Sequence, residues 1–319
     1  MEVIGADPLT LEFVEQWESG TEYFAAHTSG STGEPKEILL PRSDMLRSAK
    51  ATCDYFKLSS GSTIVSPLSA SYIAGKMMIV RAIVAGCRLV MEPPSNRPLG
   101  KLYGDIDLLP VVPSQAEWLL TGDLKGNIVK NVIVGGAPVS PLLERRLASA
   151  SFNCVATYGM TETCSHVALK PMGQPFFEAM PGVTFDTDSD RRLIICADGY
   201  SFDRLVTNDL VDLVDDRRFR WLGRKDNVII SGGVKLHPEQ IERELSELID
   251  KPFYLIGRPD EKWGTAMVMY VEGDDREIDA DRLKSRIKTV IHPHKVPHEI
   301  RLCRKFERTP SGKIKRVLL

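Results

Sequence analysis

The chain has no long apolar run, no paired cysteines and no excess of charge of either sign. None of its 319 residues falls in a window approaching the roughly 18 consecutive apolar residues of a membrane helix, which excludes helical membrane insertion. The start, MEVIGADPLTLEFVEQWESG, is acidic and lacks the basic-then-apolar order of a secretory leader, so the expectation is a cytoplasmic protein. Six cysteines (Cys53, Cys87, Cys154, Cys164, Cys196 and Cys303) stand apart without CxxC or Cys/His spacing. That pattern argues against a zinc centre and against a disulfide framework, and the cysteines read as reduced thiols. Lys and Arg number 41 against 43 Asp and Glu, a net charge of −2. The balance gives no support to nucleic-acid binding, and any basic chemistry must be local.

What is there is an apolar content of 43%, ample for a core, in short runs between turn signals. Strands are predicted over 62–66, 88–92, 108–112, 131–134 and 153–157. Helices are predicted between them over 42–56, 74–85, 113–120 and 141–150, the last two opened by Pro113 and Pro141. Such alternation predicts an α/β domain with a mostly parallel sheet. After Pro175 the runs shorten, to 192–196 and 218–222, between turns rich in Asp, which predicts a small β-rich subdomain. A boundary is expected at 223–227, dividing a core domain of 1–225 from a smaller α+β domain of 226–319. The latter would hold a Gly turn at 231–233, a helix opened by His237-Pro238-Glu239, strands at 253–257 and 266–272, a helix at 280–291 and a last turn at 309–313.

The strongest local signal is Thr28-Ser29-Gly30-Ser31-Thr32-Gly33-Glu34-Pro35-Lys36. Glycines let backbone N–H groups approach an anion, hydroxyls add donors and a lysine adds a point charge, so this loop can wrap phosphates. It is not a Walker A loop, because Glu34 and Pro35 separate Gly33 from Lys36. A flexible surface turn would have the same composition.

The loop resembles the nucleotide loop of the adenylate-forming superfamily, which comprises acyl-CoA synthetases, peptide-synthetase adenylation domains and luciferases. Five further segments, in that family's order, extend the resemblance over about residues 20 to 319. Gly135-Gly136-Ala137-Pro138 is similar to the segment along the adenine. Tyr158-Gly159-Met160-Thr161-Glu162-Thr163 resembles the motif in which the Tyr stacks on adenine, Thr161 contacts the α-phosphate and Glu162 helps hold magnesium. Thr207-Asn208-Asp209 resembles the motif whose Asp binds the ribose, and Gly223-Arg224-Lys225-Asp226 the stretch with a ribose-contacting Arg and a hinge Asp. Arg308-Thr309-Pro310-Ser311-Gly312-Lys313 resembles the loop with the catalytic lysine. The resemblance implies a mobile C-terminal domain that removes Lys313 after the first half-reaction and brings the Ser231-Gly232-Gly233 loop to the thiol. ATP, magnesium and coenzyme A are the implied cofactor and co-substrates, and a small-molecule carboxylic acid is the implied partner. A homodimer is left open. Charge neutralisation around the α-phosphate fits Lys36, Lys313 and magnesium.

Three departures stand out. The phosphate loop begins at residue 28, so the N-terminus is expected to be truncated relative to the family. Asn208 replaces a Gly, and because Asn tolerates left-handed backbone the turn is expected to survive. Tyr72 stands where the family has a histidine, and could gate the acyl pocket or be a core tyrosine. Tyr158-Gly-Met-Thr-Glu-Thr-Cys-Ser-His166 and Ile229-Ile-Ser-Gly-Gly233 are most similar to the o-succinylbenzoate-CoA ligases of menaquinone biosynthesis. For such a dianionic keto acid, Lys76, Arg81, Ser165 and His166 are candidates to meet the distal carboxylate.

Overall fold

A computed structural model describes residues 1–27, 36–308 and 314–319. Its contacts group into two compact units: Met1–Val139, Leu143–Thr184 and Cys196–Leu205 form the first, and Ser140–Leu142, Phe185–Ile195 and Val206–Leu319 the second.

The first unit is the expected α/β layer. Glu2–Ile4, Arg88–Met91 and Thr63–Ser66 form a parallel three-stranded sheet in that order. Leu109–Val111, Asn131–Val134 and Asn153–Gly159 run parallel to one another, with Leu109 opposite Val132 and Asn153 opposite Asn131. His166–Pro171 and Phe177–Ala179 then extend the row antiparallel. The short apolar runs become strands because both faces are covered: Val65, Leu109, Val111, Val132 and Val134 pack with Ala116, Leu119, Leu143 and Leu147 of the helices. Helices occupy Arg42–Phe56, Ile73–Ala85, Pro113–Thr121 and Pro141–Ala148. Pro113 opens its helix, and the Gln115 side chain accepts from the Val112 N–H at 3.0 Å, satisfying a donor at that helix start.

The second unit carries Phe253–Asp260 and Gly264–Glu272 as an antiparallel pair, with Glu299–Cys303 parallel to the latter. Helices Pro238–Leu245 and Ala280–Val290 cover one face through Ile241, Leu245, Leu283 and Ile287, against Met267, Met269 and Val271. Tyr254, Val268, Tyr270 and Phe306 cluster separately. A β-rich part was expected around 192–222, but its longest element was not foreseen. Arg204–Asp215 is a 12-residue strand, antiparallel to Arg218–Arg224. The turn expected at Thr207-Asn208-Asp209 is therefore absent: Asn208 lies inside this strand and is not among the described non-glycine residues with positive φ. Among the described residues, no helix is long and apolar enough to cross a membrane.

Candidate active site

The parallel strands Leu109–Val111, Asn131–Val134 and Asn153–Gly159 end along one edge of the first unit, the position where open α/β sheets bind ligands. Gly135 continues directly from one of them, its N–H donating to the Val111 carbonyl at 3.0 Å. A Cβ on Gly135 would lie 2.6 Å from Thr157 Oγ1, so a side chain there would force the Thr157 hydroxyl to move. Gly136 follows with φ +82°, and Ala137 is half-buried beside it.

Next to this segment Tyr158 is half-buried, its ring 5.8 Å from that of Phe177. The strand is bulged between Tyr158 and Gly159. A Cβ on Gly159 would meet the Ser165 carbonyl oxygen at 2.2 Å, which is why the chain needs glycine at this close approach. The 3₁₀ turn Thr161–Thr163 follows. Thr163 Oγ1 accepts from the Met160 N–H at 3.0 Å and lies 2.7 Å from the Ser165 carbonyl, fixing the turn from within. Thr161 is buried and Glu162 exposed. One exposed carboxylate suits a magnesium ion that keeps waters and takes its remaining ligands from phosphates. It would not make a protein-built metal cage, and no cluster of three or more metal-ligating side chains occurs among the described residues.

Thr28, Ser29, Gly30, Ser31, Thr32 and Gly33 lie outside the described residues. The strands on either side, Tyr23–His27 and Glu37–Pro41, pair antiparallel with His27 opposite Glu37, and Lys36 is exposed at the head of the second.

Of the acyl-pocket candidates, Tyr72 is 42% exposed and precedes the helix Ile73–Ala85. Lys76 is half-buried on that helix, its ammonium donating to the Ala25 carbonyl at 2.6 Å, and burial lowers its pKa against the opposing pull of Glu12. Arg81, Ser165, His166 and Thr52 come together. Arg81 is only 2% exposed, and its Nη2 donates to Ser165 Oγ at 2.5 Å. Its other contact is with Met78 Sδ, its Nε has no partner, and among the described residues no carboxylate pairs with it. Burial draws this guanidinium down to about 10, with a small opposing effect from Cys53, and it stays cationic at neutral pH. Because Ser165 Oγ accepts from Arg81, its own proton remains available to an incoming anion.

His166 Nε2 lies 3.0 Å from Thr52 Oγ1, and that hydroxyl donates to the Ser48 carbonyl at 3.0 Å. The single hydroxyl proton being committed there, His166 must carry its proton on Nε2 and donate to Thr52. Burial, and secondarily Arg81, hold its pKa well below the usual 6.5. Folded His166 thus stays neutral, while in the unfolded chain it titrates near 6.5. Below that pH the unfolded state binds the extra proton, so stability falls with pH, by about 1.4 kcal/mol per unit until the folded pKa is reached. Urea unfolding between pH 7.5 and 5.5 should show this slope reduced in His166→Gln, which keeps an N–H donor but does not titrate. Identical slopes in the two proteins would rule out His166 as the source.

In the second unit Asp209 is buried, and Trp221 Nε1 donates to its Oδ1 at 3.0 Å. Asp226 accepts from Arg224 at 3.0 Å and from Asn208 at 3.3 Å, so the residue that departs from the family touches the expected hinge carboxylate. Ser231 is buried at the start of a two-residue turn in which Gly232 and Gly233 have φ of +55° and +80°, a hairpin geometry that only glycine adopts freely. A Cβ on Gly232 would press on the Trp263 ring at 2.7 Å. The contact of Trp263 with this turn was not anticipated, because 31 residues separate the two in the chain. Lys313 lies outside the described residues.

Residues 8–192 match the family model described as AMP-binding enzyme, and residues 253–313 its C-terminal domain. A 2-succinylbenzoate–CoA ligase of Listeria monocytogenes is 26% identical over 333 residues, covering 96% of this chain and 71% of the relative. The crystal structure of an acyl-CoA synthetase (AMP-forming)/AMP-acid ligase II-like protein from Dyadobacter fermentans is 32% identical, with TM-score 0.63, over 97% of this chain and 91% of that one. O-succinylbenzoate coenzyme A synthetase from Bacillus subtilis, in complex with ATP and magnesium ion, shares the fold at TM-score 0.78 and 18% identity, over 92% and 68% of the two chains.

Proposed function

Because the chain belongs to the AMP-binding enzymes, we propose that it is a cytoplasmic ATP-dependent acid–CoA ligase whose acid is o-succinylbenzoate. In the first half-reaction a carboxylate oxygen attacks the α-phosphorus of ATP, the bond to pyrophosphate breaks and an acyl-adenylate forms. In the second, the sulfur of coenzyme A attacks the acyl carbon, AMP leaves and the thiol proton is released. Gly135, Gly136, Ala137, Tyr158 and Gly159 frame the adenine, Asp209 and Arg224 hold the ribose, and Thr161 contacts the α-phosphate. Thr28 to Gly33 and Lys36 wrap the remaining phosphates, and Lys313 neutralises charge as the acyl oxygen attacks. Magnesium, held by Glu162 and the phosphates, would supply further charge neutralisation. Asp226 serves as the hinge between 1–225 and 226–319, after whose rotation Ser231, Gly232 and Gly233 admit the pantetheine. Tyr72 and Lys76 border the acyl pocket.

The observation that carries the acid assignment is Arg81. A fully buried guanidinium that no carboxylate among the described residues pairs is costly, and the second carboxylate of a dianionic acid would supply what it lacks, with Ser165 as an additional donor and the adjacent His166 as a further candidate. The relationship to 2-succinylbenzoate–CoA ligases supports the same acid. The test is pyrophosphate release with ATP and magnesium over o-succinylbenzoate, benzoate, salicylate and medium-chain fatty acids, with and without coenzyme A. Turnover completed by coenzyme A on o-succinylbenzoate is expected. Preference for another acid would overturn the substrate, and no turnover with any would overturn the ligase.

A further inference from the structure

The segment 314–319, which follows Lys313, is held by several side chains of the second unit. Arg316 donates through Nη1 and Nη2 to the two oxygens of Glu242 at 2.6 and 2.7 Å, and through Nη1 to the Leu255 carbonyl at 3.2 Å. Glu242, on the helix Pro238–Leu245, also accepts from the Leu255 N–H at 2.7 Å. Tyr254 donates to the Val317 carbonyl at 2.8 Å, and Tyr270 and Arg301 donate to that of Leu319 at 2.8 and 3.0 Å. Upstream, Arg308 pairs with Glu272 at 2.8 Å, and the same carboxylate accepts from the Phe306 N–H at 2.9 Å. Arg308 and Ile314 face each other in an antiparallel bridge, and the Lys315 N–H donates to the Glu307 carbonyl at 2.9 Å. Arg308 and Ile314 are therefore held together, and both flanks are anchored within the second unit.

The Arg316–Glu242 pair is the centre of this anchor. Burial works against both charges. It raises the Glu242 pKa, which the Arg316 guanidinium opposes, whereas for Arg316 the Glu242 carboxylate outweighs burial and raises the pKa. Apolar residues would hold a tail to a core at least as well as a buried ion pair. What a two-point guanidinium–carboxylate contact adds is a single fixed orientation, and the functional group nearest in sequence to benefit is Lys313.

We propose that Arg316 is a positioning residue which, through Glu242, sets the downstream end of the segment carrying Lys313, so that the lysine ammonium is delivered correctly in acyl-adenylate formation. This rests on the role given to Lys313 above. It predicts a split between half-reactions, since thioester formation from acyl-adenylate does not use Lys313. Arg316→Lys and Glu242→Gln should lower the kcat of acid-dependent ATP–pyrophosphate exchange at least about tenfold, leave KM for ATP within about threefold, and leave thioester formation from preformed acyl-adenylate and coenzyme A within about twofold. Tyr254→Phe, which removes one hydroxyl and keeps the ring, should show the same split with a smaller amplitude and an unchanged melting temperature. Equal losses in both half-reactions would reduce the pair to a structural one and overturn the proposal. So would wild-type exchange that is insensitive to all three substitutions, with the ligase reading left standing. Absence of exchange in the wild type with every acid would instead overturn the ligase reading, and this proposal with it.

Discussion

Replacing Lys313 with alanine is expected to lower acid-dependent ATP–pyrophosphate exchange by roughly 10²–10³-fold, the usual effect of removing one well-placed group that stabilises transition-state charge. Acyl-adenylate formation brings a carboxylate against an already anionic triphosphate, and charge grows on the leaving pyrophosphate as the bond to the α-phosphorus breaks. A lysine meets that charge as a compact ammonium on a flexible stem. Attack of a thiol on the acyl carbon places no comparable charge there, so thioester formation from preformed acyl-adenylate should stay near the wild-type rate. Equal loss in the two half-reactions would show that Lys313 does not have this role. Lys313→Ala and Arg316→Lys should therefore fail in the same half-reaction, the first more severely, since one removes the ammonium and the other misplaces it.

The first unit was largely legible in the sequence because its strands are short continuous apolar runs and its helices begin at identifiable residues. The helix expected over 42–56 is Arg42–Phe56, and the strand expected over 131–134 is Asn131–Val134. Shortfalls at the ends are small: the helix expected to reach residue 150 stops at Ala148. Arg204–Asp215 was missed because its polar residues do not keep to one exposed face. Asp209 lies buried on a strand where a carboxylate reads as a turn, and it is stabilised by the Trp221 indole from the neighbouring strand, 12 residues away. The same limit explains Asn208. Its tolerance of left-handed backbone is real, but pairing along a long strand decided its conformation. In the candidate site the glycines at 135 and 159 were visible as a motif, whereas the reason for them, the approach of Thr157 and Ser165, is a tertiary fact. The bond from Arg81 to Ser165 spans 84 residues, and no local pattern could have announced it.

That bond leads to the second large effect, in which stability and activity should move in opposite directions. Arg81→Met keeps an unbranched side chain of similar reach beside Met78 but removes a buried charge that no carboxylate among the described residues compensates. Were Arg81 a structural residue, the substitution would destabilise the fold, because Ser165 would lose its partner and the helix Ile73–Ala85 a polar tie. If the guanidinium instead waits for an anion, its burial is a standing cost. Relieving it should leave stability unchanged or raise it by about 1–2 kcal/mol, within the range seen when buried charges give way to apolar residues. The cost would appear in function. With o-succinylbenzoate, kcat/KM should fall by roughly 10²–10³-fold, as when one partner of a desolvated charge pair is removed. With a monocarboxylic acid such as benzoate, which brings no second charge, the change should remain within a few-fold. Urea unfolding together with kcat/KM for the two acids decides the matter. A destabilised variant that loses both acids equally would assign Arg81 to the fold, whereas a variant at least as stable as wild type that loses only the dianionic acid would assign it to the substrate.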